Sequence, residues 1–155
     1  MRLSVEEAFR RYGDRVFSAA FSICQNREDA DDVVQDTFLK YHAKDMQYAD
    51  EDHLKAWLLR VAINRTRDLV GAFWRRNRVS WKNYMDQLEF VQPEDRSLFE
   101  AVMRLPDKYR IVIHLYYYEE YAVEEIANAL HRSRGTVKSQ LSRGRALLKT
   151  MLTEE

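Results

Sequence analysis

The chain has one cysteine, two prolines and four glycines among 155 residues, and its 25 basic and 25 acidic side chains cancel. A single cysteine excludes an internal disulfide, so packing alone must hold the fold. Cys24 lies in the apolar run "VFSAAFSIC" and reads as a small core residue rather than a reactive thiol, in keeping with a reducing cytoplasm. Scarce glycine and proline remove the punctuation that strands and hairpins need, while Leu, Ala, Glu, Arg and Lys are frequent, which predicts an all-α chain. No apolar run approaches the ~20 residues of a membrane span, and the opening "MRLSVEEAFRRYGD" is amphipathic rather than a secretory signal. Also missing are a Gly-rich phosphate loop, a zinc-ligand spacing and a nucleophile constellation, and the four histidines are scattered. The expectation is a cytoplasmic binding protein, not an enzyme, with no cofactor and no metal.

What is present is segregated charge. Residues 28–52 hold nine acids and two bases, and residues 53–82 hold eight bases and one acid. Residues 83–107 are again acidic, with six acids to two bases, and residues 126–150 hold six bases and no acid. One charged block is ordinary solvated surface; two basic blocks separated by an acidic one point to two anion-binding surfaces. Between them, residues 77–97 lack sustained helical periodicity and contain Pro93, which marks a linker. The predicted organisation is therefore a helical domain over 1–76, a linker over 77–97 and a second helical domain over 98–155. A chain of this length accommodates two such small cores.

In the N-terminal half, "NREDADDVVQDTFLKYH" predicts a helix capped by Asn26, with Ala30, Val33, Val34, Thr37, Phe38 and Tyr41 on the core side. The opposite side carries Asp29, Asp32, Gln35, Asp36 and Leu39. An apolar side chain ringed by carboxylates suits docking on a basic protein surface, although an ordinary solvated face with a stray leucine has the same pattern. After the polar loop "AKDMQYADED" comes "HLKAWLLRVAINRTRDLVGAFWRRNR", a long helix with Leu54, Trp57, Leu58, Val61, Ala62 and Leu69 facing inward. Arg60, Asn64 and Arg67 share its outer side and offer donors to phosphates and base edges. Arg65 falls on the apolar side and must snorkel or pair. Trp74 is the aromatic best placed to stack on an unpaired base.

The C-terminal half divides into helical pieces over 98–105, 107–118 and 123–130, followed after a short turn by a basic helix running to about residue 152. A short helix, a turn and a longer basic helix make a helix-turn-helix, whose second helix enters the major groove of DNA. Val137, Leu141 and Leu148 would anchor that helix, and Ser133 is its N-cap. Lys138, Ser139, Ser142 and Arg143 then reach base edges, with Arg134, Thr136, Arg145 and Lys149 placed for phosphates. Two positions break local rules. Ala122 stands where a polar N-cap belongs, and His131 occupies a turn position that requires positive φ.

On residues alone, a dimeric helix-turn-helix regulator and a helical adaptor without a DNA role remain alternatives. Four stretches, "DADDVVQDTFLKYH", "WLLRVAINRTRD", "LPDKYRIVIHLYYYEEYAVEEIA" and "GTVKSQLSRGRALL", resemble in order and spacing the bacterial sigma factors of the extracytoplasmic-function group. The resemblance implies an alternative initiation subunit of RNA polymerase. It assigns Asp32, Gln35, Asp36 and Leu39 to core polymerase, and the loop from Lys44 to His53, with Lys44, Tyr48 and His53, to a flipped base of the −10 promoter element. Arg60, Asn64 and Arg67 would also face that element. Arg134, Thr136, Lys138, Ser139, Ser142, Arg143 and Arg145 would face the −35 element. Gln140 and Gly144 depart from the family's usual Arg and Ala. Partners implied are core RNA polymerase, promoter DNA and an anti-sigma factor; linker acids Asp86, Glu89, Glu94 and Asp95 would mimic nucleic acid.

Overall fold

The structure, a computed structural model, describes residues 1–77, 85–86, 88–90 and 93–153, and of residues 73–77 and 93–95 the backbone alone. Trp74's side chain, most of the expected linker, and the carboxylates of Glu94 and Asp95 therefore lie outside the described residues. The described residues form helices without strands, in two compact units, Met1–Val79 and Ser80–Glu155.

Unit 1 contains α1 (Val5–Cys24), α2 (Arg27–Ala43) and α3 (Glu51–Asn77), each packed on the other two. Helix α1 begins where Ser4 Oγ accepts the Glu7 N–H at 3.1 Å and ends at Gln25, in the left-handed region with φ 51°. Asn26 Oδ1 accepts the Asp29 N–H at 2.9 Å and starts α2, and Asp50 Oδ1 accepts the His53 N–H at 2.8 Å to start α3. Each cap satisfies one of the donors that a helix start leaves unpaired. Small residues at Ala8, Gly13, Ala19 and Ala20 let α1 approach its neighbours closely, and Cys24 is buried among the core residues. All six residues expected on the inner side of α2 are buried. At the far end of the core Tyr41, Tyr48 and Trp57 form a ring cluster with centroids 5.9–6.2 Å apart.

Unit 2 contains α4 (Pro93–Met103), α5 (Asp107–Ile113), α6 (Val123–Leu130) and α7 (Arg134–Thr153). Residues 93–97, assigned from the sequence to the linker, belong to α4. Pro93 is the first residue of that helix, where a missing N–H costs nothing, so the proline opens an element rather than breaking one. The single helix expected over 107–118 is also interrupted. After Ile113 it widens into a π-helical turn, His114–Tyr118, with the Glu119 N–H donating to His114 O five residues back at 3.2 Å.

Phe99, Ile111, Val112, Ile113, Leu115, Ile126, Val137 and Leu141 fill the core, and His114 is buried with them. Among the described residues its two ring nitrogens have no hydrogen-bond partner, while its ring lies against Phe99 and Tyr118. Burial, helped by the positive charge of Arg110, pushes the imidazole from its ordinary 6.5 down to about 3.

The unfolded chain therefore takes up a proton that the folded chain refuses. Stability from this residue is complete above pH ~6.5 and declines as the pH falls toward ~3, by up to about 1.4 kcal/mol per pH unit. His114→Leu should flatten this acid limb in urea midpoints of unit 2 measured from pH 7 to 5; an identical pH dependence in the variant would reject the assignment.

Candidate functional site

Three surfaces carry the residues singled out from the sequence. On α2, Asp32 and Gln35 are exposed and Leu39 is 65% exposed, while Asp36 is partly covered. Asp36 Oδ2 accepts from Arg65 Nε at 2.9 Å, which gives Arg65 the partner its position on the apolar side of α3 demands. Leu39 is not alone. Phe9 of α1, 53% exposed, packs edge-on against Phe38 at 5.3 Å, and the two exposed residues border one apolar groove between α1 and α2. Sequence reasoning missed Phe9 because its partner face belongs to another helix. At the start of α2, burial and then the neighbouring Asp32 and Glu28 raise the Asp29 carboxyl above its ordinary value, the mark of a crowded acidic face.

The second surface is the loop between α2 and α3 with the exposed flank of α3. Lys44, Asp45, Gln47 and Ala49 are exposed. Tyr48, expected among the base-contacting side chains, is instead 2% exposed. Its ring is committed to Tyr41, His53 and Trp57, because a side chain of that size contributes more to a small core than in solvent. His53 is exposed and its Nδ1 accepts the Ala49 N–H at 2.9 Å, which leaves the ring proton on Nε2, available as a donor. On α3 Asn64 is exposed; Arg60 and Arg67 are half-buried, and burial lowers the Arg60 guanidinium from its ordinary value.

The third surface is α7. Val137, Leu141 and Gly144 face the core, and Lys138, Ser139, Ser142 and Arg143 are exposed on the other side. Ser133 Oγ accepts the Thr136 N–H at 3.1 Å and donates to Thr136 Oγ1 at 2.8 Å, so the expected N-cap also orients the Thr136 hydroxyl. His131 adopts φ 57° and ψ 46°, and the Arg132 N–H closes back on Ala127 O at 3.0 Å. At Ala122 no side-chain cap is available, but Glu125 Oε1 accepts the Ala122 N–H at 3.1 Å, half of a capping box.

The two departures from the family pattern have structural partners. Gln140 Oε1 accepts from Arg132 Nη1 at 2.8 Å, and the same nitrogen donates to Lys108 O at 3.2 Å, tying the turn to α5. A methyl group on Gly144 would stand 3.1 Å from Ile113 Cγ1, so glycine lets α7 lie closer to α5.

The Tyr109 phenol is lowered from its ordinary value, chiefly by the nearby Arg143 guanidinium and then by Lys108. Arg145 Nε donates to Tyr117 Oη, and its guanidinium lies 5.6–5.7 Å from the Tyr116 and Tyr117 rings, so this predicted phosphate contact is engaged within the protein. Asp86, one of the linker acids, accepts from Arg96 at 2.6 Å.

Comparison with known proteins matches two families in order. Residues 8–79 match Sigma-70 region 2, and residues 95–148 match Sigma-70, region 4. The RNA polymerase sigma-E factor of Streptomyces antibioticus is 30% identical over 97% of this chain and 85% of its own length. The ECF RNA polymerase sigma factor SigW of Bacillus subtilis is 26% identical over 92% of this chain and 86% of its own. Among solved structures, CnrH in complex with the cytosolic domain of CnrY superposes with a TM-score of 0.69 at 29% identity, covering 97% of this chain and 88% of that one. Among the described residues no helix is long and apolar enough to cross a membrane.

The Asp36–Arg65 pair is 40% exposed on both sides. Solvent screens such a pair, so Asp36→Ala should lower the unfolding free energy by less than about 1 kcal/mol in denaturant titrations. A larger loss would make Asp36 a structural residue and remove it from the exposed docking face.

Proposed function

The chain belongs to the extracytoplasmic-function group of RNA polymerase sigma factors, which direct promoter recognition and transcription initiation, and on that premise we propose which surface performs each step. Unit 1 docks on core RNA polymerase through Asp32, Gln35, Asp36 and Leu39 of α2, with Phe9 completing the apolar part of the contact. Basic groups on the partner complement the carboxylates, and the two exposed apolar side chains supply the desolvated centre that a stable interface needs. The carrying observation is that one chain turns outward both this acidic, leucine-centred face and, in its other unit, the basic face of α7. A DNA reader acting alone has no use for the first.

Promoter DNA meets two surfaces. Lys138, Ser139, Ser142 and Arg143 of α7 read base edges of the −35 element from the major groove, with Arg134 and Thr136 on phosphates at the helix start. In unit 1 Lys44, His53, Arg60, Asn64 and Arg67 face the −10 element, where base capture offsets an unstacking cost of a few kcal/mol. Tyr48 supports that loop from beneath. These are binding tasks, and the chain acts by them rather than by catalysis, at the cytoplasmic site where the polymerase works. An anti-sigma factor is proposed as a further partner, supported by the relative CnrH having been solved with the cytosolic domain of CnrY.

Replacing both Asp32 and Asp36 by Arg should abolish co-elution with core polymerase while the helical circular-dichroism signal persists; retained co-elution would refute the docking face. Lys138→Ala with Arg143→Ala should reduce run-off transcription from a −35-dependent promoter at least about tenfold, from base contacts worth ~1–3 kcal/mol each. Core binding should be unaffected, and unreduced transcription would sink the assignment of α7.

A further inference from the structure

Residues 1–3 precede α1 and lie along the loop that joins α2 to α3. The Tyr48 N–H donates to Met1 O at 2.8 Å, so the two segments pair through their backbones. The Tyr41 hydroxyl accepts the Leu3 N–H at 3.0 Å and donates to Leu3 O at 2.6 Å, closing both of that residue's backbone groups. Arg2 makes the widest connection. Its Nη2 donates to Tyr41 O at 2.8 Å, a carbonyl in the last turn of α2, and its Nη1 donates to Met46 O at 3.2 Å, in the loop itself. The guanidinium carbon lies 4.6 Å from the centre of the Tyr41 ring.

One planar group thus spans two carbonyls five residues apart in sequence and stacks on a ring beneath them. Only the fixed fork of a guanidinium offers donors in that arrangement; an ammonium supplies the charge without the two aligned bonds.

The consequence falls on the loop. With Tyr48 drawn into the core, Gln47 and Ala49 on either side of it are exposed. The Ala49 N–H is held in turn by His53 Nδ1 at 2.9 Å. The loop is fastened at Met46, Tyr48 and Ala49, with Arg2 linking it to Tyr41 at the end of α2, and its exposed side chains are presented outward from these points.

We propose that residues 1–3 form a strap, with Arg2 as its positioning residue, that pre-shapes this loop for capture of an unpaired promoter base. Selectivity at the −10 element then depends on Arg2 although Arg2 touches no DNA. A loop held in shape cannot re-pack around a wrong base, whereas a loose one can, and that freedom to adapt is what lets a flexible surface accept several ligands. The strap rests on the reading of the loop as the −10 surface.

The test uses the full chain with core polymerase and a set of promoters that share one −35 element and differ by single −10 bases. Arg2→Ala and Tyr41→Phe should each narrow the spread of run-off yields between best and worst −10 base by about fivefold or more, on the scale of one or two lost hydrogen bonds. Arg2→Lys should narrow it by a similar factor, since charge alone does not restore the fork. Dependence on the −35 element should be unchanged, and trypsin should cut after Lys44 faster in all three variants. A uniform loss of yield on every promoter, with the spread intact, would mean that Arg2 only stabilises the fold and overturns the strap. A spread and a cleavage rate equal to wild type overturn it as well. If instead Lys44→Ala with Gln47→Ala leaves the wild-type spread unaltered, the −10 reading of the loop fails, and the strap's role in selectivity fails with it.

Discussion

Each unit has only enough chain for a core a few side chains across, so every helix must give one whole stripe to the interior. A fully buried Leu, Ile or Phe contributes about 1.5–3 kcal/mol, and a small core has few such contributions to lose. That constraint orders the rest of the molecule. On α2 the inward stripe from Ala30 to Tyr41 leaves Asp32, Gln35 and Leu39 outside; on α7, Val137, Leu141 and Gly144 leave Lys138, Ser139, Ser142 and Arg143 outside. The faces proposed for function are those that packing does not claim, and Tyr48 shows the reverse case, a side chain claimed by packing in a loop that otherwise faces solvent.

Most of the local costs the fold accepts lie around the helix-turn-helix, with Gln25 at the end of α1 adding another residue at positive φ. His131 and Glu120 adopt positive φ without being glycine, Ala122 caps a helix with no side-chain acceptor, and His114, the first residue of the π-helical turn, is buried without a hydrogen-bond partner among the described residues. Non-glycine residues in the left-handed region cost roughly 1–2 kcal/mol each. Compensation is visible nearby. Arg132 bridges Gln140 and Lys108 and Gly144 admits Ile113, so the turn and α7 are tied to α5, while Glu125 returns to the Ala122 N–H at the start of α6. A helix proposed to read DNA must keep a fixed angle to its support, and these contacts hold it there.

Much of this was legible without coordinates. Helical periodicity placed all six buried residues of α2, Asn26 and Ser133 emerged as caps, and the demand that Arg65 snorkel or pair was met by Asp36. Periodicity works here because helix faces are set by local geometry. It failed where the decisive neighbour was distant or the cue ambiguous. Pro93 serves equally as a breaker and as a first helical residue, and the strap from Arg2 to Met46 links segments with no pattern in common.

The amino-acid order by itself determined an all-α chain, its blocks of alternating charge and its main helix faces, because each follows from residue type and short-range spacing; the family entered as a resemblance of four motifs, and comparison with known proteins established it. Only the tertiary structure decided that Tyr48 turns inward, that Phe9 joins Leu39, that Arg145 lies on Tyr116 and Tyr117, and that residues 1–3 fasten a loop some 40 positions away. The physical reason is the same in each case. Where one side chain of amphipathic character has both a solvent face and a core within reach, the choice is made by the volume and the donors that other helices bring to it, and those are absent from its own stretch of sequence.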